Sequence, residues 1–293
     1  MKIEMHALQP MQRQQWLQHA IAPRPIAFAS TVDHEGRHNL SPFSFFNLFS
    51  SNPPILVFSP ARRVRDNSTK HTLNNVLAVP EVVINIVDEP IVHQASLASC
   101  EYGEGVDEFV MAGFTPIASE QVRPPRVKES KIQIECRVLE VKVLGQEGGA
   151  GNLVICEVLV MHIADEILNA EGTMIDHHKI SHVARLGGDW YCRVDAQSLF
   201  EVPKPNTRLG IGYPGLPEDI RNSRILTGNH LAQLANVEQL PVAEPGFHDP
   251  HVKEIVQYFS PNPEEMEAEL HRHAAHLLDQ GKVREAWQVL LMA

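Results

Sequence analysis

Between Asn39 and Asn47 the chain reads Asn-Leu-Ser-Pro-Phe-Ser-Phe-Phe-Asn, and four of its eleven phenylalanines (Phe43, Phe45, Phe46, Phe49) fall within seven residues. A buried strand favours Val and Ile and avoids a central Pro. A helix would not open on Ser-Pro and then show aromatics without a 3.6-residue period. The pattern predicts an extended, Pro-bent segment in which Ser41, Pro42, Phe43, Ser44 and Asn47 lay small polar groups along an apolar wall. Such a wall suits a flat, amphipathic ligand. Downstream, Arg62, Arg63, Arg65 and Lys70 put four cations into nine residues of a chain with a formal charge of −11. Lys70 and Thr72 stand at the mouth of a helix predicted to run to Val79 before Pro80. Helix N-terminal amides and the helix dipole favour an anion there. The chemistry suggested is binding of a flat ligand with an anionic end; a solvated basic face and an aromatic core plug are the plainer readings.

The elements that must position these residues are strands. Arg24–Val32 reads as a strand ending in hydroxyls, turned by Asp33-His34-Glu35-Gly36. Pro53-Pro54 opens a second, Ile55–Phe58, which ends on Ser59. Val82–Val87 is a third. Lys131–Leu144 alternates through Ile132, Ile134, Cys136 and Val138, then changes parity at Leu139, the signature of a bulge in a strongly twisted sheet. Gly145–Gly151 is a hairpin turn, and Leu153–Ile163 returns. Pro90–Ser99 reads as a helix, and Cys100–Pro125 as a Gly-, Pro- and acid-rich loop that is either plain surface or a flap. Short strands joined by turns, with few helices between them, predict a mainly β barrel with flanking helices.

Arg24-Pro-Ile-Ala-x-x-Ser-Thr, Gly36-x-x-Asn-Leu-Ser-Pro-Phe-Ser-Phe-Phe-Asn, Pro53-Pro-x-x-x-Phe-Ser, Lys70-x-Thr-x-x-Asn75 and Arg185-Leu-Gly-Gly-x-x-Tyr191 occur in that order. Together they resemble the flavin reductase-like, FMN-binding split-barrel family, which includes flavoredoxin. The resemblance spans Arg24 to Tyr191. It departs at Lys70-His71-Thr72, where the family carries Lys-Asp-Thr, so a capping Asp is expected to be lost. The resemblance implies FMN, bound noncovalently on the Ser41–Asn47 wall, its phosphate near Ser59, Lys70, Thr72 and Arg185. It also implies that Ser30 and Thr31 face the ring or ribityl chain and that Asn75 belongs to the same block. NADH or NADPH is the implied electron donor, with hydride passing to the flavin. No catalytic side chain is required, because the cofactor carries the redox step. A homodimer is implied as well. The readings in play are an NAD(P)H:flavin oxidoreductase, a flavoredoxin-like carrier reduced by a redox protein, and a non-redox binding module that has lost its flavin.

The rest of the chain narrows the classes. A pI of 5.8 argues against nucleic acid as partner. The N-terminus lacks a basic-then-apolar leader, and no apolar run approaches the ~18–20 residues that span a bilayer; a cytoplasmic protein is expected, with no membrane partner. Four cysteines form no Cys-x-x-Cys. His34-Glu35-Gly36-Arg37-His38 has the His-Glu-x-x-His spacing but falls in a predicted turn rather than on a helix, so no metal site is expected. His182, three residues before Arg185, is a further candidate site residue. The Gly-x-Gly-x-x-Gly spacing at Gly210–Gly215 follows a linker and no predicted strand, so no Rossmann unit is read and a nicotinamide would bind transiently over the flavin. Domains are expected at 1–199 (barrel) and 200–293 (extension). Glu201–Pro205 reads as a linker, the stretch after it as turn-rich, and Asn262–Leu291 as a helical hairpin. In that hairpin Asn262 caps, Pro263 opens and Gly281 ends the first helix, whose stripe is Met266, Leu270, Ala274, Leu277 and Leu278.

Overall fold

Apolar residues with a period of two, broken by Gly, Asp and Pro, govern the first two hundred residues of the computed structural model. The structure describes residues 1–203 and 208–292; Lys204 and Pro205 of the expected linker lie outside them. The chain divides into two compact units, Met1–Phe200 and Glu201–Ala293.

The first unit opens with α1 (Pro10–Ala20), an element the sequence reading did not anticipate. It has Pro at its first turn and a reciprocal capping box between Gln9 and Gln12. Next come β1 (Ala27–Val32), β2 (His38–Phe43), β3 (Phe46–Ser51) and β4 (Pro54–Phe58), then α2 (His71–Ala78) and β5 (Glu81–Ile86). After α3 (Val92–Leu97) and α4 (Glu108–Ala112) follow the short β6 (Pro116–Ile117) and β7 (Arg126–Val127). The long β8 (Ile132–Val143) and β9 (Asn152–Ile163) precede β10 (His182–Arg185) and β11 (Tyr191–Val194).

Seven strands form one antiparallel sheet in the order β2-β1-β5-β8-β9-β4-β3. Strands β2 and β3 are separated in sequence only by Ser44 and Phe45, yet they end the sheet on opposite sides. A two-residue link can join the two edges only if the sheet curls round on itself. The result is a split barrel, as the resemblance implies, with its seam at Ser44–Phe45. The Ser59 amide donates to the Phe45 carbonyl across that seam (2.8 Å).

This corrects the reading of Pro42. The Pro-bent segment is not irregular: Pro42 lies within β2, paired with Phe28. It is tolerated because β2 is an edge strand, where an absent N–H breaks no second ladder. The predicted parity change in β8 is present as bulges opposite β9, at Glu135/Cys136 and Val138/Glu140.

Strand β1 is buried on both faces. Ala27 and Ala29 join Phe43, Phe58, Ile84, Ile134, Cys136 and Cys156 inside the barrel, and α2 adds Leu73 and Val76 to that core. Phe28 turns the other way, with Leu40, Ile91, Ala95, Phe109 and Phe114, under α3 and α4. The two buried thiols, Cys136 and Cys156, are free. Burial pushes both upward, Cys156 to about 12, so they pack as small apolar groups.

The stretch Cys100–Pro125, read as loop or flap, contains α4 and β6 and is pinned by two buried carboxylates. Glu135 accepts from the Glu120 and Gln121 amides (2.9 and 2.6 Å) and faces His162 Nε2 at 2.8 Å. Glu108 does the same for α4, as described below.

The second unit is helical beyond the expected hairpin. Besides α8 (Pro263–Asp279) and α9 (Val283–Leu290), it holds α5 (Glu218–Arg221), α6 (Gly228–Ala235) and α7 (Pro250–Phe259), where the sequence suggested turns. The Asn262 side chain caps α8 as read. Leu270, Ala274, Leu277 and Leu278 are buried against Leu231, Leu234, Val252, Ile255 and Trp287. The Trp287 indole donates to the Leu234 carbonyl (3.2 Å).

Candidate functional site

A cleft of about 1020 Å³ opens at the seam, lined among others by Pro42, Phe43, Ser44, Phe45, Ser59, Lys70 and Arg185. That volume is at the upper end of the ~300–1,000 Å³ typical of ligand clefts. Six of the twelve residues proposed from sequence therefore share one wall. Ser41 and Thr72 line a small adjoining cavity of about 20 Å³, which also touches Lys70.

The anionic end is built from Lys70. Its three cationic neighbours are engaged: Arg62 donates to the Asn67 side chain and carbonyl (2.6 Å each), Arg63 to Glu101, Ser68 and Thr69, and Arg65 to Glu101 and Asp66. Among the described residues no carboxylate pairs with Lys70. It is half-buried, and burial, then the nearby Arg63 guanidinium, holds its ammonium below the usual lysine range. A cation under both pressures is relieved by an anion.

Lys70 is also the N-cap residue of α2, and no side chain caps that helix. This revises the expectation about His71. Position 71 is the first helical residue rather than the cap, so replacing the family's Asp removes no cap hydrogen bond.

Ser59 and Arg185 complete this end. The Ser59 hydroxyl oxygen accepts from the Asn152 amide (3.1 Å), which leaves its proton free to face a ligand. A Cβ on Gly151 would come within 2.9 Å of that oxygen, so glycine there makes the approach possible. Arg185 lies over the Tyr191 ring at 4.6 Å, and its backbone exchanges two hydrogen bonds with Arg24 (2.9 Å each). Arg24 in turn donates to the carbonyls of Gln18 and Ile21 (2.5 Å each) and Leu186 (2.8 Å), tying α1 to the Arg185 strand. Gly187 completes this junction: a Cβ there would fall 2.3 Å from the His19 ring.

Four predicted residues sit elsewhere. Asn47 is exposed on β3, its side chain accepting from the next amide, Leu48 (2.8 Å). Ser30, Thr31 and Asn75 are buried. Thr31 donates to Asn39 Oδ1 (3.3 Å) and accepts from Asn75 Nδ2 (3.1 Å). Thr72 Oγ1 donates to the same Asn39 oxygen (2.6 Å). Asn39 Nδ2 donates to Glu108 Oε1 (3.0 Å), and the Leu40 amide to Glu108 Oε2 (3.0 Å). These residues form a polar floor beneath the anionic end. The Ser30 hydroxyl has no hydrogen-bond partner among the described residues. His182, the further candidate, begins β10 but does not line the cleft, whereas Val183 and Arg185 do. Gln14 and Gln18 of α1, together with Tyr191, also line it. The only sequence signal for α1 was its Pro10 start. No group of three or more His, Cys, Asp or Glu side chains suited to a metal occurs among the described residues.

A model of the flavin reductase like domain matches residues 19–182, more than half of the chain. The chain belongs to the flavin reductase-like family. Members similar to it include an uncharacterized protein of Aquifex aeolicus, 34% identical over 183 residues, 62% of this chain and 90% of that relative. Nitrilotriacetate monooxygenase component B from Bacillus cereus superposes with a TM-score of 0.64 at 29% identity, covering 69% of this chain and 98% of that one. The 2-nitrobenzoate 2-nitroreductase of Pseudomonas fluorescens gives 0.61 at 27%, over 69% and 96%. The fold is that of flavin-handling redox proteins. About three in ten residues of this chain fall outside either superposition.

Proposed function

We propose that the protein binds FMN noncovalently in the seam cleft and acts as an NAD(P)H-dependent flavin reductase. The observation that carries this reading is Lys70: a half-buried ammonium with which no carboxylate pairs among the described residues, at an uncapped helix start, opening on a cleft with a Phe43–Phe45 wall. These residues fit FMN. Lys70 and the first amides of α2 suit its phosphate, the Ser59 proton suits a phosphate or ribityl oxygen, and Arg185 offers a second cation held by Tyr191. When bound, FMN supplies the redox chemistry, accepting hydride from NADH or NADPH and passing electrons on. The chain's part is to bind, orient and shield.

The expected homodimer finds support in β3, which ends the sheet and carries exposed Leu48 and Phe49, with Phe45 just before it. A free edge bearing large apolar side chains marks an association surface. Phe45 also lines the cleft, so a partner there would help to enclose the ligand. Among the described residues no helix is long and apolar enough to cross a membrane; a cytoplasmic site of action is proposed with the rest.

The test is the visible spectrum of the purified protein supplied with FMN, followed anaerobically after adding NADH and then NADPH. Flavin bands should appear and bleach rapidly with one donor. Bands that persist would instead favour a carrier reduced by a redox protein. A protein that takes up no flavin would overturn the reading.

A further inference from the structure

We propose that Glu108 sets the strength of the anion-binding end of the cleft, by fixing the orientation of the Asn39 amide and so the direction of the Thr72 hydroxyl proton. The inference rests on the FMN reading above and concerns residues that lie behind the cleft wall.

Glu108 is buried at 4% exposure, at the start of α4, and both its oxygens face N–H donors. The Leu40 amide is fixed in β2 and can only donate. An ionised carboxylate can only accept, so the Asn39 atom turned toward it must be the NH2 group. The Asn39 carbonyl then faces Thr72 and Thr31, and both hydroxyls donate inward to it, at 2.6 and 3.3 Å. Thr72 therefore shows the small cavity beside Lys70 an oxygen without its proton. Thr72, Lys70 and Glu108 all line that cavity. Two effects of Glu108 thus act against an anion at Lys70: its own charge, and the loss of the Thr72 proton as a donor. Both have the same sign. Burial raises the Glu108 carboxyl above the usual carboxylate range, with the Leu40, Asn39 and His71 contacts opposing that rise.

The consequence is a seat tuned below its maximum affinity, which suits a flavin that exchanges with solvent rather than one held permanently. Glu108→Gln keeps the shape. The carbonyl of the introduced side chain can take the Leu40 N–H, and its NH2 group then donates to Asn39, whose amide turns over and hands the Thr72 oxygen a donor. The Thr72 proton is released toward Lys70.

The experiment compares FMN with riboflavin, which lacks the phosphate, by fluorescence quenching on wild type and E108Q. FMN should bind E108Q on the order of tenfold more tightly, as expected for removing one charge near the seat, while riboflavin affinity stays the same. A merely structural Glu108 would weaken both ligands together or leave both alone, and either result overturns the proposal. If neither protein binds either flavin, the FMN reading itself fails.

A second measurement guards against a variant that does not fold. Sulfate is dianionic at pH 7, so its thermal stabilisation of the full chain reads the seat directly. Sulfate should raise the melting temperature of E108Q more than that of wild type, and the melting transition itself shows that the variant folds; equal shifts overturn the proposal.

Discussion

At the residue scale the anionic end of the site depends on Lys70, with which no carboxylate pairs among the described residues. Lys70→Glu replaces attraction by repulsion at the anionic end, and a hydrogen bond to a charged group contributes about 1.5–3 kcal/mol. The expected result is FMN binding weaker by at least about ten- to a hundredfold, with riboflavin little affected, measured by titration of flavin fluorescence. Equal weakening of both ligands would remove Lys70 from the phosphate seat. Ser41, Pro42, Phe43, Ser44 and Lys70 were legible in the sequence because small polar, aromatic and cationic residues are out of place in an ordinary strand or core, whereas Ser59 and Arg185 were marked only by the family resemblance. Thr31, Asn39, Thr72 and Asn75 were legible as a pattern but not as a network. Their partners come from β1, β2 and α2, and only the fold shows that the hydroxyls turn inward. Glu108 carried no signal at all. An acid in a polar stretch reads as solvated, and its burial is decided by where α4 packs.

At the level of elements, period and turn chemistry revealed β1, the β8–β9 hairpin and α8 within a few residues. Pro42 misled because its penalty depends on strand position, and edge or centre is a property of the sheet rather than of the segment. The helices α1, α5, α6 and α7 are short or weakly patterned, and their stability comes from tertiary packing more than from propensity. The other edge, β3, carries the prediction at this scale. Leu48→Lys places a charge on the exposed edge strand, a device that blocks edge pairing. Under the proposed homodimer, light scattering should give a dimer for wild type and a monomer for the variant, with the monomer still folded by circular dichroism. An unchanged dimer would place the interface on another surface.

At the scale of the whole chain, the two units bury separate sets of apolar side chains, and each has its own polar fastenings. In the second unit Asp249 caps α7, accepting from the His251 and Val252 amides (2.8 and 3.3 Å), and faces His273 of α8 at 2.8 Å. Burial alone would raise its carboxyl. The His273 contact and the two amides outweigh that and hold it below the usual range. A carboxyl lowered by folding stabilises the folded form above the unfolded value, near 3.9. That contribution disappears as pH falls through the folded value. Asp249→Ala should cost about 0.5–2 kcal/mol, as for other lost caps. In calorimetry its deficit at pH 7 should shrink toward zero at strongly acidic pH. A deficit independent of pH would mean that shape, not charge, matters there.

The two-residue link at Ser44–Phe45 also bears on how the barrel forms. The hairpins β1–β2, β3–β4 and β8–β9 are local and can register early, whereas the β1–β5 pairing (Ala27 with Ile86) and the β4–β9 pairing (Ile55 with Glu157) join distant parts of the chain. Non-local pairings come slowly, because loop closure must precede the contacts that reward it. Because the link tethers the first two hairpins, the ring closes only when β8–β9 docks between β5 and β4. Until that step the seam has one wall and no cleft. A ligand held there recognises only the finished ring, so its binding energy is added to the cooperative unfolding of the entire barrel rather than to the stiffness of one loop.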